Sequence, residues 1–344
     1  MRIALVGKGG SGKTTLTALL VRTLVAEGKT VLAIDADINQ HLGVTLGYPS
    51  QIVETVPEVG NALPKLKRLL AGTNPRIRSP ETTMVKTTLP GQGSHLIRLQ
   101  DNDPVIEAFA LIRHHTFLLR IGGLTEQEVG VRCFHSKTGG AELILNHLLD
   151  MPDEWVLVDM TAGADAFASG LFTRFDLTLL VVEPTLKSVG VYRQYKAYAE
   201  GYGMNIKTLG NKADAAADIA FLRTHCKDDL LGCLSTSDWI RRSERGQPDD
   251  IAHLETDNRQ VLQAALKAAL GCPRDWQTYW HWGIHFHRKN ALAWANKVVG
   301  QDLTGQIDAD FLKKLTTSDF PGGTANRSTT KGAYDELPLC QQAP

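Results

Sequence analysis

Neither sign of charge is in excess in this 344-residue chain: Lys plus Arg and Asp plus Glu number 37 each. With no global field to draw the protein toward nucleic acid or anionic lipid, its partners must be chosen by local sites. Long apolar runs are missing too. The longest, such as Leu177 to Val182, are far too short to cross a bilayer. The five cysteines (Cys133, Cys226, Cys233, Cys272 and Cys340) are odd in number and scattered, which does not fit a disulfide framework. Any with a special role is then a thiolate or a metal ligand. There is no internal repeat. No signal or transit peptide is expected, because a strand-like run, Ile3 to Val6, starts almost at Met1. The expectation is a cytoplasmic protein that binds neither membrane nor nucleic acid.

What is present is a 43% hydrophobic composition, enough for a large core. Short β-branched runs at Ile3 to Val6 and Val31 to Asp35 flank a segment with Leu16, Leu19, Leu20 and Leu24 at helical spacing, which stops at Gly28. The alternation returns with a strand at Trp155 to Asp159 and a helix near Asp165 to Thr173. A strand at Leu177 to Val182, a helix over Val189 to Glu200, a strand at Asn205 to Gly210 and a helix over Asp257 to Leu270 follow. Such alternation predicts an α/β fold in three layers around a parallel sheet. The pattern weakens over about 49–130, read as an insertion with a helix around Ala62 to Leu70 and two strands near Val105 to Arg120. Residues 1–270 would form the main domain. A Trp- and His-rich helical extension is expected over 271–315, with His281, His285 and His287 on a packing helix. A polar tail over 316–344 is expected to be disordered.

The segment GKGGSGKTT follows the first strand and opens the first helix, the context that a phosphate-binding loop requires. Gly9, Gly10, Ser11 and Gly12 would aim backbone N–H groups at an anion. Lys13 would reach the β- and γ-phosphates and Thr14 would hold Mg²⁺, with Thr15 counted among the nucleotide-binding residues. Lys8 is superfluous to such a loop. It points away from its own phosphates and gains a purpose only if a second subunit brings a nucleotide to it. The loop resembles the deviant Walker A motif of the MinD/ParA/nitrogenase-iron-protein group of P-loop ATPases. The resemblance implies a homodimer that encloses ATP, with Lys8 acting across the interface and hydrolysis waiting on dimer closure. It also implies that Asp37 of DADINQ orients the attacking water and that Asp35 lies nearer the Mg²⁺ shell. Asp159 would hold Mg²⁺ through water, and Gly163 would sense the γ-phosphate. Asn211 resembles the base-contacting Asn of the group. The run Asn211 to Asp214 also satisfies the guanine-reading pattern N-K-x-D, so GTP stands as an alternative to the favoured ATP.

Cys133 and His135, two apart before a helix, could chelate together in extended chain, and a two-fold axis would complete a Cys₂His₂ set for Zn²⁺ or Ni²⁺. Their placement is similar to the C-x-C of the CooC-type ATPases, which serve nickel insertion into carbon monoxide dehydrogenase, and to the Cys-Pro-His of urease accessory GTPases. His135 stands where the second cysteine would be. The expected function is an ATP-driven metallochaperone or metalloenzyme maturation factor with a protein client. The alternatives are a metal-independent ATP-gated partner switch and a positioning ATPase of the MinD/ParA kind.

Overall fold

The computed structural model describes residues 1–124, 126, 135–161, 163, 165–247 and 249–317. Its strands are β1 (Arg2–Gly7), β2 (Thr30–Ala36), β3 (Leu111–Arg113), β4 (Thr116–Arg120), β5 (Glu154–Met160), β6 (Leu177–Val182), β7 (Ile206–Gly210) and β8 (Leu230–Cys233). They form one sheet in the order β3-β4-β2-β5-β1-β6-β7-β8. β3 runs antiparallel to β4, and every other neighbouring pair is parallel. The helices are α1 (Lys13–Ala26), α2 (Leu42–Thr45), α3 (Ser50–Glu54), α4 (Leu63–Ala71), α5 (Pro104–Phe109), α6 (His135–His147), α7 (Leu186–Ala199), α8 (Ala216–Cys226), α9 (Asp238–Glu244), α10 (Thr256–Leu270), α11 (Trp276–Asn290), α12 (Asn296–Val299) and α13 (Ala309–Thr317).

Strand alternation sends successive side chains of β1 to opposite faces. Ala4 and Val6 join a core with Leu143 of α6 and Val189 of α7. Ile3 and Leu5 join one with Leu16 and Leu20 of α1 and Leu262 of α10. The sheet is thus covered on both sides, giving the three-layer α/β architecture expected from the sequence.

Two local expectations fail. Val105 and Ile106 suggested a strand but lie in α5, because Asp103 accepts their N–H groups (2.9 and 3.3 Å) and Pro104 starts the helix. The helix expected near Asp165 to Thr173 is two short 3₁₀ turns, Asp165–Ala168 and Leu171–Arg174. The segment over 49–130 supplies β3 and β4, which form one edge of the sheet. Past α10, Arg274 enters the buried ends of the central strands. It pairs with Asp150 and Asp176, both at 2.8 Å, and Arg2 meets Asp150 at 2.7 Å. Trp282 and Phe286 of α11 then join the core beside Tyr202. A π-helical turn, Ala291–Ala295, links α11 to α12. His287 lies buried between the carbonyl oxygens of Thr87 and Leu303, each 3.0 Å away, while the rings of His281 and His285 pack on Trp282. The segment expected to be a disordered tail falls, from residue 318 on, outside the described residues.

Candidate nucleotide site

The carboxyl ends of β1, β2, β5 and β7 converge on a cleft of about 560 Å³, a volume suited to a nucleotide. Its walls include Gly9, Gly10, Gly12, Lys13, Thr14, Thr15, Asp37 and Asn211. The loop that starts it leaves β1 and enters α1 through Gly12, whose φ of 97° is left-handed. Asn211 fixes this turn: its Nδ2 donates to the Ser11 carbonyl at 2.7 Å. Lys212 braces the preceding carbonyl, donating from Nζ to Gly10 at 2.8 Å. Two consecutive side chains after β7 therefore hold two consecutive carbonyls of the loop, leaving its N–H groups for an anion.

Around Lys13 the structure gathers three carboxylates. Asp37 Oδ2 is 4.0 Å from Lys13 Nζ, and its other oxygen accepts from the backbone and side chain of Asn39 (2.9 and 2.8 Å). Asp35 is fully buried, accepts the Leu42 N–H at 2.9 Å and is the register partner of Asp159 on β5. Burial is the main cause that pushes the Asp35 carboxyl up to about 7. Burial, reinforced by Asp35, raises Asp159 well above the ordinary range. Thr14 Oγ1 donates to Asp159 Oδ2 at 2.6 Å, and Asp159 Oδ1 is buried without a hydrogen-bond partner. The orphaned buried carboxylate oxygen of Asp159 and the hydroxyl of Thr14 beside it are two oxygen donors of the kind a hard divalent cation takes, with water and phosphate oxygens left to complete its shell. Gly163 donates its N–H to the Gly7 carbonyl at 3.1 Å, next to the loop.

Asp214 is engaged elsewhere. Both its oxygens accept from Thr236, one from the backbone N–H and one from Oγ1, each at 2.6 Å, so it pins the loop after β8. Lys8 is absent from the cleft walls, and its Nζ lies 3.4 Å from Glu183 Oε2. Cys133 lies outside the described residues, and His135 marks the first residue of α6. Among the described residues no group of three His, Cys, Asp or Glu side chains could hold a metal ion. One further stretch of the cleft wall was not foreseen. It includes Ser235, Thr236, Ser237, Ile240, Arg241 and Glu244, whose Oε1 accepts from Thr15 Oγ1 at 2.9 Å.

The profile of the CobQ/CobB/MinD/ParA nucleotide binding domain matches residues 3–48. An uncharacterized ATP-binding protein of Methanocaldococcus jannaschii is 30% identical over 258 residues, 73% of this chain and 91% of its own. This chain is a P-loop ATPase of the MinD/ParA family. The ATPase is also 29% identical to the carbon monoxide dehydrogenase accessory protein CooC of Rhodospirillum rubrum over 275 residues, 79% of this chain and 98% of that one. Its fold is that of the septum site-determining protein MinD of Pyrococcus horikoshii, solved with Mg-ADP. The TM-score is 0.52 at 17% identity, covering 78% of this chain and 95% of the other. No helix among the described residues of the ATPase is long and apolar enough to cross a membrane.

Proposed function

We propose that this ATPase is a dimeric, nucleotide-driven switch that serves metalloenzyme maturation, with each closed dimer completing both catalytic centres. The observation that carries this reading is the position of Lys8, a cation of the phosphate loop that is not part of its own cleft. Exposed Ile38 on the cleft wall and Leu186, three residues after Glu183, add apolar surface suited to a second copy.

The roles follow from the geometry. Backbone N–H groups of Gly9 to Thr15 and the amino end of α1 bind the phosphates. Lys13 neutralises the β- and γ-phosphates from within, and Lys8 of the second copy approaches from outside, where charge builds up on the leaving phosphates. Thr14 and Asp159 would hold Mg²⁺, with Asp35 behind them, and Mg²⁺ supplies neutralisation of phosphate charge. Asp37, beside Lys13, orients water for in-line attack. Gly163, hydrogen-bonded to the loop at Gly7, transmits the presence of the γ-phosphate. Asn211 shapes the loop and, by the family resemblance, contacts the base. Asp214 is bonded to Thr236 and is not among the residues that line the cleft, which favours ATP over GTP. Similarity to CooC supports a client metalloenzyme, with Cys133 and His135 of two copies as a shared Zn²⁺ or Ni²⁺ site.

Two measurements test this. Lys8→Ala should keep ATP binding while losing ATP-dependent dimerisation and most turnover; full turnover by a monomeric variant would refute the switch. Metal analysis of the ATP-bound dimer should find one divalent transition ion per two chains, lost in Cys133→Ser. Dimers with normal ATPase activity and no such ion would leave a metal-independent partner switch.

A further inference from the structure

Lys8 has a partner in the single chain, and that partner is itself shared. Glu183 follows β6, and its carboxylate spans two lysines: Oε2 lies 3.4 Å from Lys8 Nζ and Oε1 lies 2.8 Å from Lys212 Nζ. The glutamate side chain is only 15% exposed, whereas Lys8 is 38% and Lys212 is 53% exposed. The fixed element is therefore the acid. Against the upward push of partial burial, Lys212 and then Lys8 hold its carboxyl below the ordinary range, so it is an anion at neutral pH. Lys212 is tethered in turn. Its Nζ also donates to the Gly10 carbonyl, and its backbone sits at φ 56°, a left-handed conformation costly to a residue with a side chain. The bond to Gly10 keeps this cation over the phosphate loop, where it competes with Lys8 for a single carboxylate.

We propose that Glu183 and Lys212 are positioning residues for the loop lysine: Glu183 holds Lys8 within its own chain, and Lys212 weakens that hold so that a second copy's nucleotide can take Lys8 away. This rests on the reading of Lys8 as a cation that acts across the dimer. In the lone chain, a free ammonium at the loop mouth would be drawn to any nearby anion. The Glu183 carboxylate gives it a fixed resting place on the rim. On closure, Lys8 exchanges one carboxylate for phosphates that carry several charges. Lys212 takes over neutralisation of Glu183, so the acid is not left unpaired. The exchange is close to balanced because the pair is partly exposed, and such pairs contribute little. A latch of this strength delays closure without blocking it.

The two residues make predictions of opposite sign, which a merely structural role would not. The readout is the dimer dissociation constant of the full chain with a non-hydrolysable ATP analogue, by analytical ultracentrifugation. Glu183→Gln removes the anion and should tighten the dimer about 2- to 30-fold, two latches being released per dimer. Lys212→Met leaves Glu183 wholly to Lys8 and should loosen it. In a Lys8→Ala background, Glu183→Gln should not restore the dimer. If both variants loosen the dimer, or if Glu183→Gln leaves it unchanged while Lys8→Ala abolishes it, the latch is overturned and the transacting lysine stands. If Lys8→Ala dimerises like the parent chain, the underlying reading of Lys8 fails first.

Discussion

A Cβ added to Gly12 would lie 2.3 Å from Asn211 Nδ2, in a backbone at φ +97°. The loop and the strand end after β7 are thus fitted to each other at one atom pair, and a methyl group there forces the brace off the Ser11 carbonyl. Gly12→Ala should weaken ATP binding at least ~10-fold, measured by calorimetric titration, through left-handed strain and the lost brace. Adding Asn211→Ala should restore part of the affinity by removing the clash; no recovery would place the whole effect in the backbone. At this scale the sequence was most legible where chemistry is local. GKGGSGKTT announces its own turn, and DAD and the strand ending in Asp159 announce carboxylates at strand ends. Glu183 and Glu244 were not legible. Each matters through a contact with a residue more than 170 positions away, Lys8 and Thr15, and their neighbours in sequence give no hint of it.

Among the elements, the extension is held by charge as much as by its aromatic face. The guanidinium of Arg274 is buried between Asp150 and Asp176, with Arg2 on the far side of Asp150. Burial opposes all these charges, yet the pairing holds Asp150 well below and Arg274 well above their ordinary ranges. Such a cluster is costly to break from one side, because the acids left behind are cut off from water. Arg274→Ala should therefore lower unfolding free energy by about 3 kcal/mol, read as a shift of the urea midpoint with unchanged slope. Arg2 and the backbone N–H that it gives Asp176 keep the loss from being larger. Periodicity alone located β1, β2, β5, β6 and β7, whose apolar runs face core on both sides. It misjudged α5, where an Asp-Pro start outweighed the β-branched pair that follows it. It left β8 unplaced, because an edge strand of four half-buried residues carries little pattern.

For the molecule as a whole, the acid side of its stability curve should bear the mark of one histidine. His147 closes α6, is 1% exposed, donates its Nδ1–H to the Leu143 carbonyl at 2.9 Å and leaves Nε2 buried without a partner. Burial pushes it down to about 4, from an ordinary 6.5. The unfolded chain thus binds the extra proton across that interval. Stability should fall as pH drops from 6.5 toward 4, by up to about 1.4 kcal/mol per pH unit from this group. His147→Gln, compared with the parent by chemical denaturation across that range, should flatten the slope; an identical slope would assign the acid sensitivity to other groups.

The Arg274 anchor sits where β1, β5 and β6 begin, and the nucleotide cleft sits where those strands end. A strand of six residues is about 20 Å long. In the proposed mouth-to-mouth dimer the two anchors would therefore stand at opposite poles, on the order of 40 Å apart along the strand direction, out of reach of the nucleotides that bring the copies together.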